Sequence, residues 1–328
     1  MLCLVPLEPY EERYTEQWCK WIPKSLTELK IPFKEILGVK YTDKINVGDV
    51  LDVYGTHYYK YSQLQKIVDL IQRGEITHGD ELWFADLWFP GIEGLFYIRA
   101  MTGIQFRITG VLHAGTWDKH DFTFKNGMYS WAHNIEKGWL DQIDTVFLGS
   151  EFHRQLILDE FGKGIKAKLK VTGLFFDANE VSRQSCSKRD LVVFPHRLEY
   201  EKRPDKFDSL AYHFTGSGWK FLKTKDETST KEEYYNLLAR ARVAVSFSEQ
   251  ETFGYAMLEA IANGCIPLVP NTVSYATMSI YDGYRYNSLD ELDKMLKDLI
   301  KDYPTLKGAP EQLLAQYSPV EISKKMFL

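Results

Sequence analysis

Two glutamates, Glu251 and Glu259, stand eight residues apart around a glycine in the stretch Phe247-Ser248-Glu249-Gln250-Glu251-Thr252-Phe253-Gly254-Tyr255-Ala256-Met257-Leu258-Glu259-Ala260-Ile261-Ala262-Asn263-Gly264. The apolar spacing predicts a strand, a loop, a helix opening at Gly254 and a stop at Gly264. The first turn of a helix leaves amides without partners and carries the positive end of its dipole, so Thr252, Phe253 and Gly254 mark an anion site. Glu251 lies just ahead of these donors, and Glu259 falls about two turns further on. Among neighbours such as Met257, Leu258 and Ile261 a carboxylate needs a partner, and the paired hydroxyls of a ribose would serve. The same spacing also fits an ordinary helix with one capping and one surface glutamate.

Upstream, Phe194-Pro195-His196-Arg197-Leu198-Glu199-Tyr200-Glu201-Lys202-Arg203-Pro204 follows a predicted strand. Ligands bind at the carboxyl ends of strands in open parallel sheets, and there Arg197 and Lys202 could neutralise a diphosphate. Taken alone, the cluster reads equally as a solvated loop.

The elements that must position these residues follow from short apolar runs alternating with amphipathic stretches, the pattern of βα units feeding a parallel sheet. Strands are predicted at 2–5, 35–40, 81–85, 105–112, 145–148 and 168–172, with helices at 60–73, 134–142 and 151–161. A second series begins at Leu191-Val192-Val193-Phe194 and continues through 243–247 and 266–269. At 328 residues, two α/β domains are the natural division. The expected boundaries are a first domain over 1–172, a polar connection over 173–188, a second domain over 189–310, and a terminal segment over 311–328 whose helix starts at Ser318-Pro319 and could return to the first domain.

A formal net charge of −5 argues against a protein held on nucleic acid by bulk electrostatics, while leaving room for a local basic groove. The four cysteines lack metal-ligand spacing, no leader-like start is present, and no apolar run approaches the ~20 residues that span a bilayer. A cytoplasmic protein with reduced thiols is expected.

Together, the two motifs resemble the retaining GT-B glycosyltransferases that carry an E-x7-E signature, a family-4-like group. The family's strand-R-x4-K element is matched by Arg197 and Lys202, and its E-x-F-G-x4-E-A element by Glu251, Phe253, Gly254, Glu259 and Ala260; Gly264 and Pro267 also fall in place. The resemblance implies two Rossmann-like domains facing a central cleft and a nucleotide-sugar donor, commonly a UDP-sugar, with no metal or other cofactor. It assigns the donor's diphosphate to Arg197 and Lys202, the transferred sugar to Glu251 with the amides of Thr252, Phe253 and Gly254, and the ribose to Glu259. Replacing Glu251 or Lys202 by alanine is then expected to abolish transfer and leave the melting temperature nearly unchanged.

The first half departs from the family pattern, since no Gly-Gly loop follows the opening strand. Pro6-Leu7-Glu8-Pro9-Tyr10-Glu11-Glu12-Arg13-Tyr14-Thr15 stands there instead, with Thr15 a candidate helix cap. This loop resembles small bacteriophage glycosyltransferases and places Arg13 and Tyr14 on the acceptor side. Two further strand-end loops, 86–91 and 113–121, offer Asp86 and His113 to orient an attacking hydroxyl, with Trp88 and Trp117 as bare indoles for an acceptor. A lone histidine or loop charge there reads equally as structural. The acceptor suggested by the resemblance is the hydroxymethyl group of a modified pyrimidine in phage DNA. That would need stacking aromatics, for which Trp83, Trp88, Trp117 and Trp131 are candidates, and phosphate contacts, for which Lys163, Lys166, Lys168 and Lys170 are candidates. Alternative acceptors are a polysaccharide, a lipid-linked sugar or a protein; alternatives of another class are a non-catalytic nucleotide-sugar binding module and a sugar-nucleotide epimerase. Donor identity and oligomeric state leave no sequence signal.

Overall fold

The computed structural model describes residues 1–10, 14–41, 52–183, 187–304 and 310–328. These form two compact units. The first comprises Met1–Gly149, Arg154–Phe175 and Ser323–Leu328, and the second Ser150–His153 and Phe176–Ile322.

In the first unit, strands β1 (Leu2–Val5), β2 (Phe33–Glu35), β3 (Glu81–Phe84), β4 (Arg107–Val111), β5 (Thr145–Leu148) and β6 (Lys168–Val171) pair in the order β2-β1-β3-β4-β5-β6. Every pairing is parallel. The chain runs from β1 to β2 on one side and to β3 on the other, so the switch point lies between β1 and β3. Parallel strands are covered on both faces and so read as continuous apolar runs. Strand β5 shows this, with all four residues buried. The core beneath includes Ile67, Leu82, Phe84, Phe106, Ile108, Val146 and Ile157.

The second unit holds β7 (Arg189–Phe194), β8 (Lys220–Lys223), β9 (Ala241–Val245), β10 (Ile266–Pro270) and β11 (Arg285–Tyr286), again wholly parallel, in the order β11-β10-β9-β7-β8. Its switch point lies between β7 and β9. Val192, Phe194, Val243, Val245, Ile266 and Leu268 form its centre.

Several sequence expectations shift. The strand expected at 35–40 is β2 at Phe33–Glu35, and the helix expected at 60–73 runs from Val53 to Gln72. Thr15 does not cap its helix: it lies inside the first described turn of Tyr14–Glu28, and its hydroxyl accepts the Tyr10 amide at 3.3 Å. The stretch 173–188 is not an open polar loop in its described part, because Leu174, Phe175, Phe176 and Val181 are buried and Ala178–Val181 forms a short helix. Ser323, on the terminal helix Pro319–Phe327, shares a hydrogen bond with Ser25 at 2.7 Å, and Phe327 lies edge-on to Trp83.

Candidate active site

Ligand sites in open parallel sheets collect at the carboxyl ends of strands beside a switch point. Both groups of candidate residues fall at such places, one in each unit.

In the second unit the loop after β7 turns through a single 3-10 turn, Tyr200–Lys202, which folds Lys202 inward. The Lys202 side chain is 7% exposed. Its ammonium donates to the Gln250 carbonyl at 2.6 Å and to Glu251 Oε2 at 3.1 Å. Arg203 closes the turn at φ +58°, a left-handed conformation costly for a residue with a side chain. Arg197, by contrast, is largely exposed and donates to Glu201 Oε1 at 2.6 Å. His196, just before Arg197, is buried, and its Nε2 has no hydrogen-bond partner. Burial, reinforced by the charges of Lys202 and Arg197, holds this imidazole well below its ordinary pKa, hence neutral.

The loop after β9 leads to the helix Tyr255–Ala262, with Gly254 at its opening at φ +92°. No other residue fits there easily. A Cβ would need the left-handed region and would sit 2.9 Å from Tyr275 Cε1. The amides of Thr252, Phe253 and Gly254 donate to no group among the described residues. They form an open donor row at the positive end of the helix, beside Glu251. The Glu251 carbonyl accepts the Ser274 amide at 3.1 Å, an approach that follows Val273 at φ +49°. A β-branched residue in that region is strained, so backbone strain is stored at Val273, next to the residue whose amide holds the Glu251 carbonyl. Tyr281 is wholly buried with an unpartnered hydroxyl, 3.5 Å from where a Gly254 Cβ would lie.

Glu259 is half-buried on the same helix. Tyr234 donates to its Oε2 at 2.9 Å and Tyr235 to its Oε1 at 3.1 Å. Burial raises its pKa, against the lowering effect of the Tyr234 bond, the Lys231 charge and the Tyr235 bond. Tyr234 also reaches the Pro195 carbonyl at 3.4 Å, tying Glu259 to the end of β7. Sequence reasoning missed these two tyrosines, on the helix Lys231–Arg240, and Tyr281, on the turn Ser279–Tyr281, because they lie on elements remote in sequence from the motif and no local pattern marks them.

In the first unit, Lys60 bridges Asp86 Oδ2 at 3.1 Å and the Trp88 carbonyl at 2.6 Å. His113 donates Nε2–H to the Ala85 carbonyl at 2.8 Å, and burial lowers its pKa despite the nearby Asp86 charge. Asp86, His113 and Tyr14 line one pocket with Glu8, Tyr10 and Gln63. The Trp88 amide donates to Asp86 Oδ1 at 3.0 Å, but its indole is engaged elsewhere, donating N–H to Glu136 Oε1 at 2.8 Å. Trp117 is not a bare indole: it is 7% exposed and packs in the core. Trp83 is buried as well, whereas Trp131 is exposed. Arg13 lies outside the described residues.

No family model matches the chain. A tRNA-queuosine alpha-mannosyltransferase from Drosophila melanogaster is 27% identical over 159 residues, which span 41% of this chain and 42% of that relative. Three solved structures match nearly end to end. Sucrose-phosphate synthase from Thermosynechococcus elongatus gives a TM-score of 0.63 at 12% identity, covering 99% of this chain and 96% of that one. An alpha,alpha-trehalose-phosphate synthase from Burkholderia vietnamiensis gives 0.61 at 12%, covering 99% and 96%. A lipopolysaccharide outer core galactosyltransferase gives 0.60 at 14%, covering 99% and 97%. The fold is therefore that of the GT-B glycosyltransferases, built from two parallel-sheet α/β domains. No helix among the described residues is long and apolar enough to cross a membrane.

Proposed function

We propose that the chain is a retaining glycosyltransferase that takes a sugar from a nucleotide-sugar donor, a UDP-sugar by preference, and places it on a hydroxyl without a metal. The observation that carries this reading is the buried Lys202 ammonium, 3.1 Å from Glu251, beside three open amides at a helix start on this fold. Lys202 and Arg197 hold the diphosphate, while Glu251 and the amides of Thr252, Phe253 and Gly254 hold the sugar. Glu259 takes the ribose: each carboxylate oxygen already accepts one phenol, and the remaining lone pairs are open to hydroxyls.

In the transfer, the bond from the anomeric carbon to the diphosphate breaks as the acceptor oxygen bonds on the same face. The acceptor's proton passes to the departing diphosphate oxygen. Charge growing on that oxygen meets donors already in place, each worth roughly 3 kcal/mol by analogy with single oxyanion donors. In this scheme Asp86 and His113 orient the acceptor hydroxyl.

For the acceptor, the reading is a hydroxymethylated pyrimidine in DNA. The buried Trp83 and Trp117 leave Trp88 and Trp131 as its aromatic candidates. The Drosophila relative, named for mannosyl transfer to queuosine in tRNA, favours a second reading in which the acceptor is a modified tRNA nucleoside. Incubation with UDP-, GDP- and ADP-sugars, with hydroxymethylated DNA or with tRNA, followed by mass spectrometry and NMR of the anomeric proton, tests all of this. A hexose mass gain with retained configuration, unaffected by EDTA, is expected; no gain on any acceptor and no donor hydrolysis would remove the enzyme reading.

A further inference from the structure

The polar groups of the pocket at the β1/β3 switch point can be accounted for one by one. Glu8 and Tyr10 are each 6% exposed, and the Tyr10 hydroxyl donates to Glu8 Oε2 at 2.5 Å. Glu8 Oε1 has no partner. Gln63 is fully buried and spends its amide nitrogen on the carbonyls of Pro6 and Ile36, both at 2.9 Å. Those two carbonyls fix which end of the amide is oxygen, and that oxygen also lacks a partner.

Lys60 is the one cation lining the pocket among the described residues, and it is committed to Asp86 and the Trp88 carbonyl. His113 commits its Nε2–H to Ala85, leaving the Nδ1 lone pair. The cation and the N–H donors are thus spent, and three buried groups have no hydrogen-bond partner: the acceptor oxygens Glu8 Oε1 and Gln63 Oε1, and the Thr56 hydroxyl, which acts on the Glu8 carboxyl and can supply only one donor for the two oxygens. Buried acceptors are rarely left unmatched, and what these lack is a ligand that donates. Tyr10, Tyr14 and Phe89 supply apolar walls around them.

We propose that this pocket binds a hydroxyl-bearing ring that carries no phosphate or carboxylate, with Glu8 and Gln63 each accepting from a ring hydroxyl. Naming that ring the acceptor rests on the glycosyltransferase reading; the binding chemistry does not. An anionic ring would meet Glu8 and Asp86, and the cation that lines the pocket, Lys60, is already committed to Asp86 and the Trp88 carbonyl.

The test compares matched pairs bound to the full chain without donor, by saturation-transfer NMR: glucose against glucose 6-phosphate, and 5-hydroxymethyl-2′-deoxycytidine against 5-carboxy-2′-deoxycytidine. At least one hydroxylated member is expected to bind, with its anionic partner weaker by tenfold or more, a factor equivalent to ~1.4 kcal/mol. Glu8→Gln is expected to narrow that discrimination, a change that a merely structural role would not produce. The proposal falls if neither hydroxylated probe binds, if an anionic partner binds as tightly, or if folded Glu8→Gln discriminates as the wild type does. Should Glu8→Gln fail to fold, the wild-type pairs alone decide. Wild-type hydrolysis of UDP-, GDP- and ADP-sugars runs alongside: its absence would count against the glycosyltransferase reading while leaving the binding comparison intact.

Discussion

Lys202 serves two masters, holding the Gln250–Glu251 backbone in place and offering charge to a leaving group. Lys202→Ala therefore removes two partners at once, a buried carbonyl and a carboxylate. The expected cost is about 1–3 kcal/mol of stability together with at least a hundredfold loss of transfer, read by urea denaturation and turnover. This revises the expectation, drawn from the sequence alone, that the melting temperature would hardly move. Arg197→Ala takes a charge partner from the buried Glu201 carboxylate, so it is expected to reduce turnover and also to cost about 1–3 kcal/mol of stability. His196 makes a separate prediction through pH. Its folded pKa is depressed, so its contribution to stability is complete above the ordinary histidine value of about 6.5 and is lost as pH falls towards the folded value. The depressed His113 acts with the same sign. Stability measured at pH 8, 6 and 5 should decline, and less steeply in His196→Gln; an equal slope in that variant would refute the assignment.

At the scale of elements, the helix Tyr255–Ala262 begins where it does because Gly254 accepts φ +92° and keeps clear of Tyr275. Gly254→Ala should cost roughly 1–3 kcal/mol and displace the open amides, lowering transfer further than stability alone accounts for; a variant of normal turnover would show that the amide row is not used. This helix start was legible because glycine followed by an apolar run is a strong local signal. The runs 2–5 and 145–148 were legible as short apolar stretches and 151–161 by helical apolar spacing, and their observed ends match. Strands β8 and β11 were not. Lys-Phe-Leu-Lys at 220–223 offers only two apolar residues, and Arg285–Tyr286 only two residues in all. Both lie at sheet edges, where pairing rather than hydrophobicity defines a strand. Burial of Lys202 was equally hidden, because Glu199-Tyr200-Glu201-Lys202-Arg203 reads as a solvated run until the 3-10 turn folds it inward. The tyrosines on Glu259 were out of reach of any local pattern, since a contact across 24 or 25 residues is made by packing.

At the scale of the molecule, each unit carries its candidate groups at its own switch point. In the second unit these are acidic and basic groups around open amides; in the first they are spent donors and open acceptors. That division suits a donor rich in phosphate and an acceptor rich in hydroxyls. It also makes the donor half separable from every question about the acceptor. The most direct test is a crystal structure of the chain with whichever of UDP, GDP or ADP binds most tightly by calorimetry. The expected density places the diphosphate against Lys202, Arg197 and the amides of Thr252 to Gly254, with the ribose hydroxyls on Glu259. A nucleotide bound in the first unit, or one in the second unit whose diphosphate leaves the Lys202–Glu251 pair untouched, would contradict it.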